Sequence, residues 1–260
     1  MSNAPKLPLR RRATDWHAKF VVEERYVDAS ERRRTYIGAT ALIAVGLVAF
    51  LYLVVSVVTH SGFELLDRPV ERWFDAQRSG STTGFMIALA VVFGPIALPI
   101  VVLVVLVVWI IAARHVWRPF LLFTGMVTGV ILAEVLAPII KHPRPPISLM
   151  LFGADHTFSF PSGHVLGTSD FLLILVFLFA SRIRRTWFTV TALAVAILGI
   201  AAQVISRLYL GYHWISDTTA SIALSMVIVG TLIMIDTHRT VRTPGERVVG
   251  QHSQPQTDGT

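Results

Sequence analysis

Between residues 36 and 235 the sequence is a series of apolar runs joined by short polar connections, and the length of those runs decides what the chain can fold into. Hydrocarbon offers no hydrogen-bond partners. A segment that crosses a bilayer must therefore satisfy its own backbone, and about 20 apolar residues do so as a helix. Five runs approach or exceed that length: residues 36–58, 96–113, 119–140, 165–180 and 187–205. A sixth, 215–235, carries Asp217 near its first turn. Residues 84–93 are apolar but few, and Gly94 and Pro95 end them, so this segment is expected to lie at the interface or re-enter. With 53% hydrophobic residues and a mean hydropathy of +0.63, the expected fold class is all-α: a polytopic membrane protein with six transmembrane helices.

The formal charge of +7 lies in tails and short loops, with no basic face alternating with aromatics, which argues against nucleic acid as a partner. It reads as topology. With the N-terminus inside, only six of the 23 Lys and Arg residues, Arg68, Arg72, Arg78, Lys141, Arg144 and Arg207, fall on the opposite side. Both termini are accordingly expected in the cytoplasm of a multi-pass cell-membrane protein. The first run has no small-residue cleavage site and is longer than a signal-peptide core, so it reads as a retained anchor. The chain divides into a basic cytoplasmic tail (1–34), a membrane domain (35–238) and a disordered cytoplasmic tail (239–260). Cysteine is absent, which excludes disulfides and thiolate metal ligands and is silent about compartment.

On the outer side, Arg68, Arg72 and Arg78 are mixed with acids in "ELLDRPVERWFDAQR", a nearly neutral amphipathic segment. The other three cations sit at ends of runs. "KHPRPP" closes the third with Lys141 and Arg144, "FPSGHV" opens the fourth with Ser162, Gly163 and His164, and "SRLYLGYHWISD" joins the fifth to the sixth with Arg207, His213 and Asp217. Singly, each residue has a structural explanation: a snorkelling arginine, interfacial aromatics, a helix cap, a carboxylate on a helix dipole. Together they fit phosphoryl transfer without a metal or other cofactor. Arg144 and Arg207 offer planar forks for phosphate oxygens, and Lys141 a point charge. The amides of Ser162 and Gly163 at a helix start form an anion site. His213 and Asp217, spaced i and i+4, pair so that the carboxylate fixes the imidazole tautomer and frees the other nitrogen to attack phosphorus. His164 can then protonate the leaving oxygen.

These three segments resemble the signature motifs of the type 2 phosphatidic acid phosphatase superfamily, K-x6-R-P, P-S-G-H and S-R-x5-H-x3-D. The second and third match in full, and the resemblance covers residues 120–235. It implies a phosphohistidine on His213, protonation of the leaving group by His164, no metal, and an extracytoplasmic active site at the ends of helices 3 to 6 acting on lipid phosphates in the bilayer. The first motif departs from the pattern: Ala137 stands where lysine belongs, and Lys141 is three residues before Arg144. Either the motif is shortened or its lysine is lost.

Glu134 and Asp170 fall within runs, where charge is costly. Both lie about 9–10 Å from the motif residues at 1.5 Å per residue, so protonated carboxyls bonding between helices are expected. The leading functional class is a lipid phosphate phosphatase acting on a polyprenyl pyrophosphate such as undecaprenyl pyrophosphate, phosphatidic acid or phosphatidylglycerol phosphate. A phosphotransferase of the same fold and a non-enzymatic lipid phosphate transporter are the alternatives, and the complete His213 and Asp217 pair argues against the last.

Overall fold

A computed structural model of the chain describes residues 20–247 and 253–255. Strand β1 (Val22–Tyr26) is followed by helices α1 (Ala29–Thr59), α2 (Asp67–Ala76), α3 (Gly80–Val92), α4 (Ala97–Ala112), α5 (Trp117–Ile140), α6 (Gly163–Ile183), α7 (Thr186–Tyr209) and α8 (Ile215–Thr240). Two short strands, β2 (Val241–Arg242) and β3 (Ser253–Pro255), complete the order. Helices α1, α5, α6, α7 and α8 are each long and apolar enough to cross a bilayer. Helices α3 and α4 meet at a 47° bend and pass the same test only as a pair. The short apolar segment expected at 84–93 is thus the body of α3, and Gly94 and Pro95 mark the bend.

The bundle is held by small-residue packing as much as by apolar side chains. Lipid tails are as apolar as leucine, so helices associate in a membrane through close van der Waals contact, which glycine permits. A Cβ at Gly46 of α1 would lie 2.6 Å from the carbonyl oxygen of Ala223 on α8, and one at Gly230 of α8 would lie 2.9 Å from the carbonyl of Ala39. Phe50 and Leu53 of α1, Leu122 of α5, Ile174 and Leu178 of α6 and Ile228 of α8 form the buried core beside this seam. Val48, Leu103, Ile139 and Leu198 face outward and stay exposed, as side chains facing lipid do.

One end of the bundle is closed by a small sheet of order β2-β1-β3, both pairs parallel, with Arg25 opposite Val241 and Val22 opposite Ser253. Glu24 is fully buried there and holds Arg239 at 3.2 Å and Arg242 at 2.9 Å. Residues 29–34, assigned above to a tail, are the first turns of α1, and the disorder expected over 239–260 does not extend to β2 and β3. Strands pairing across more than 200 residues leave no local pattern to read. Residues 1–19, 248–252 and 256–260 lie outside the described residues, so expectations for those parts of the tails stand as expectations.

Leucine at Gly46 or Gly230 would force α1 and α8 apart. Each should destabilise the chain by about 1–3 kcal/mol, the usual range for overpacking. Thermal unfolding in nanodiscs should show a clearly lower Tm for both and little change for Gly38→Leu, whose Cβ meets no atom within 4 Å.

Candidate active site

The opposite end gathers the segments that are not helix. Helix α5 stops at Lys141, whose φ of 57° reverses the chain and sends residues 142–162 across the end of the bundle. Between α7 and α8, Gly211 at φ 75° lets the turn approach the carbonyl of Leu149, and Leu151 N–H donates to the carbonyl of Leu210 at 3.1 Å. A Cβ at Gly94, in the bend between α3 and α4, would lie 3.6 Å from Nε2 of His164, so the bend sits beside that imidazole. A cavity of about 720 Å³ opens here, with Arg144, Asp155, His164, Arg207 and His213 on its polar walls and Leu98, Leu106, Phe123 and Val130 on its apolar ones.

His213 is 3% exposed, and its bonds fix which nitrogen is free. Nδ1 lies 2.9 Å from the carbonyl oxygen of Ser159, which can only accept, so the proton is on Nδ1. Nε2 therefore carries the lone pair, and Nη1 of Arg144 donates to it at 3.2 Å. Burial, opposed by the Asp217 hydrogen bond but reinforced by Arg144 and Arg207, holds the His213 pKa down to about 4. The ring is neutral at physiological pH, as a nucleophile must be.

Arg144 is clamped on several sides. Its Nη1 donates to the carbonyl of Tyr212 at 2.8 Å, its Nε to the carbonyl of Thr157 at 3.1 Å and its Nη2 to Thr157 Oγ1 at 2.9 Å. Asp155 pairs with Nη2 at 3.0 Å. Burial opposes the Asp155 charge, yet the Thr157 hydrogen bonds and Arg144 keep its pKa below the usual carboxylate range. Arg207 is 4% exposed, with its guanidinium 4.5 Å from the Tyr212 ring centroid. The two guanidinium groups and His164 face the same space as His213.

Asp217 is fully buried. Its Oδ2 accepts the Trp214 N–H at 2.8 Å and lies 3.5 Å from His213 Nδ1. The expected pairing of the two residues is present, but the tautomer-setting acceptor is the Ser159 carbonyl, because His213 stands in the turn before α8 rather than on the helix. Oδ1 of Asp217 is taken by a residue the motif reading passed over: His142, whose Nδ1 is 2.8 Å away. Neighbouring Ser216 donates from its backbone N–H and its hydroxyl to buried Asp67 at 2.9 and 2.7 Å. Burial pushes the Asp67 pKa up to about 6.

The remaining expected residues are placed unevenly. Gly163 lines the cavity, and a Cβ there would meet nothing within 4 Å, so its amide is unobstructed. Ser162 is the N-cap of α6, but its hydroxyl is buried without a hydrogen-bond partner and makes no cap bond. Lys141 is not brought to the cavity. It is exposed at the reversal, which turns His142 inward instead. Asp170 bonds between helices as expected, accepting from Ser225 Oγ at 2.6 Å. Glu134 does not: it is exposed on α5 and lines the cavity with Ala137.

With this geometry in hand, comparison with known proteins is specific. The PAP2 superfamily pattern matches residues 118–240, from the start of α5 to the end of α8. That match spans a little under half of the chain. The chain is similar to phosphatidylglycerophosphatase B of Bacillus subtilis (strain 168), 24% identical over 121 residues that cover 44% of this chain and 56% of that protein. The chain thus aligns with little more than half the length of that curated relative. Its fold is similar to the crystal structure of a transmembrane PAP2 type phosphatidylglycerolphosphate phosphatase from Bacillus subtilis. The TM-score is 0.67 at 17% identity, over 75% of this chain and 96% of that one. The chain is therefore a membrane protein with a transmembrane PAP2 fold.

Within residues 118–240, the missed residues are His142, Asp155, Thr157 and Ser159, all in the connection from α5 to α6. Only His142 had a usable signal, as an imidazole inside the first motif. The Arg144 contact gives a direct test of His213. Arg144→Ala removes a cation 3.2 Å from Nε2, so the pKa of His213 should rise from about 4 toward the ordinary imidazole value. A rise of about one pH unit or more is expected in 15N-histidine NMR of the labelled chain, and an unmoved titration would assign the depression to burial and Arg207.

Proposed function

We propose that the chain is an integral membrane lipid phosphate phosphatase that works through a phosphohistidine on His213. The observation that carries this reading is the neutral His213 Nε2, hydrogen-bonded by Arg144 at the polar end of an apolar-walled cavity. A lipid phosphate fits both parts, with acyl or prenyl chains along α4 and α5 and phosphate oxygens between Arg144, Arg207 and the Gly163 amide. Nε2 attacks phosphorus, the bond from phosphorus to the ester oxygen breaks, and His164 gives that oxygen its proton. Water then cleaves the N–P bond, passing one proton back to His164 and restoring neutral His213. Asp217 balances the positive charge that the His213 ring carries while phosphorylated. The relatives make phosphatidylglycerol phosphate the first substrate to try, ahead of phosphatidic acid and undecaprenyl pyrophosphate.

Purified chain in nanodiscs should release phosphate from phosphatidylglycerol phosphate, continue in EDTA and be blocked by vanadate, a mimic of five-coordinate phosphorus. His213→Ala should lower kcat by about a thousandfold or more, and Lys141→Ala should leave kcat/KM within about threefold of wild type. Wild-type turnover in His213→Ala would overturn the reading. His164→Ala should impair hydrolysis of a monoester more than of a pyrophosphate, because phosphate leaves with less need of a proton.

The same reading places the site outside the cytoplasm and both termini inside it, following the Lys and Arg distribution. Because the chain has no cysteine, single cysteines at exposed Ser81 and Thr186 report sidedness. An impermeant thiol reagent applied to intact cells should label Ser81→Cys and spare Thr186→Cys. The opposite pattern would put the site in the cytoplasm.

A further inference from the structure

We propose that His142 is a positioning residue for the His213 nucleophile, acting through the carboxylate that the two imidazoles share; the proposal rests on the phosphohistidine reading. His142 is 5% exposed and does not line the cavity, so it touches no reacting atom. It is nonetheless tied to the nucleophile by three routes. Its Nδ1 is 2.8 Å from Oδ1 of Asp217, whose Oδ2 is 3.5 Å from His213 Nδ1. Its carbonyl accepts the Ser159 N–H at 2.9 Å, and the carbonyl of that same Ser159 accepts the His213 Nδ1 proton. Ser159 Oγ lies 3.2 Å from His142 Nδ1 and 3.3 Å from Asp217 Oδ1. His142 thus holds both acceptors that orient His213.

The charges around the two rings push them in opposite directions. Asp217 on α8, Asp67 on α2 and Glu64 in the turn before α2 all act on His142, and a ring nitrogen of His142 lies within 4.8 Å of an oxygen of each of the last two. Burial opposes its proton, but the Asp217 hydrogen bond and these carboxylates outweigh burial and hold its pKa above the ordinary value. His213 shares Asp217 but faces Arg144 and Arg207 instead, and stays neutral. By donating from Nδ1, His142 satisfies Asp217, so the carboxylate does not draw a proton onto the nucleophile. Without it, Oδ1 of a fully buried carboxylate loses its donor, and Asp217 and Ser159 are free to rearrange.

Two substitutions separate this role from packing. The amide nitrogen of asparagine falls where histidine places Nδ1, whereas that of glutamine falls where histidine places Nε2. In nanodiscs with phosphatidylglycerol phosphate, His142→Ala and His142→Gln should each lower kcat about tenfold or more with KM within about twofold, and His142→Asn should recover to within about threefold of wild type. Wild-type kcat in His142→Ala, an effect on KM alone, or equal losses in the Asn and Gln variants that track lowered Tm would overturn the proposal. If the wild-type chain releases no phosphate, the functional reading fails by itself, and 15N-histidine NMR still decides the coupling. Asp217→Asn should lower the pKa of His142, and an unchanged value there would overturn it.

Discussion

A peptide group in hydrocarbon has no water to bond, and the arrangement of this protein follows from that one requirement. Inside the bilayer every segment must be helix, so backbone freed from helices can gather only at the ends of the bundle. Residues 141–162 and the turn 210–214 are interruptions between spans that meet at one end, and the bend between α3 and α4 lies beside them. Each contributes what a helix cannot: a carbonyl left to accept from His213, a reversal that turns one residue in and the previous one out, and a bend that lies against His164. The close seam between α1 and α8 is then more than stability. Asp217 opens α8, and its position relative to the 141–162 connection depends on where that helix is held.

The second organising element is charge balance in a small buried volume. Two imidazoles share one carboxylate, and two guanidinium groups stand on only one side of the pair. Arg144 and Arg207 push His213 toward neutrality, and Asp217 pulls it back. His142, set among Asp67, Glu64 and Asp217, takes up that pull. Groups of similar chemistry pushed in opposite directions by their surroundings are a usual means by which a fold prepares one of them to react. Arg144 is treated similarly. Asp155 and Thr157 fix its plane while one Nη1 proton still points at Nε2.

Much of this was legible in the sequence, and the boundary has a physical cause. Helices α1 and α5 to α8 were readable because their apolar runs are dictated locally by the membrane, and Arg144, His164, Arg207 and His213 because they stand at fixed spacing beside those runs. What escaped depends on contacts between distant segments. His142 meets Asp217 across 75 residues and His213 meets Ser159 across 54, and no spacing rule connects them. The i and i+4 argument for His213 and Asp217 gave the right pair for an incomplete reason. The helix begins two residues after His213, so the turn, rather than a shared helical face, sets the distance. Strands β2 and β3 were missed for the same reason, since their pairing with β1 is remote and their composition is that of a tail.

Lys141 shows how local geometry can defeat a spacing argument. Four residues of α-helix turn through about 400°, so a lysine moved from position 137 to 141 would stay within about 40° of its original face if the helix continued. The helix does not continue. It ends at Ile140, and the left-handed Lys141 breaks the face just where the argument needs it. Ala137, still helical, does line the cavity, but its side chain has no charge to offer. The cations left at the cavity are the two arginines, and Glu134 of α5 lines the same cavity. On the phosphatase reading, the work of a lysine falls to Arg144, Arg207 and the start of α6. Arginine needs its plane fixed to present two parallel donors, and this is the constraint that Thr157, Asp155 and the Tyr212 carbonyl impose on Arg144.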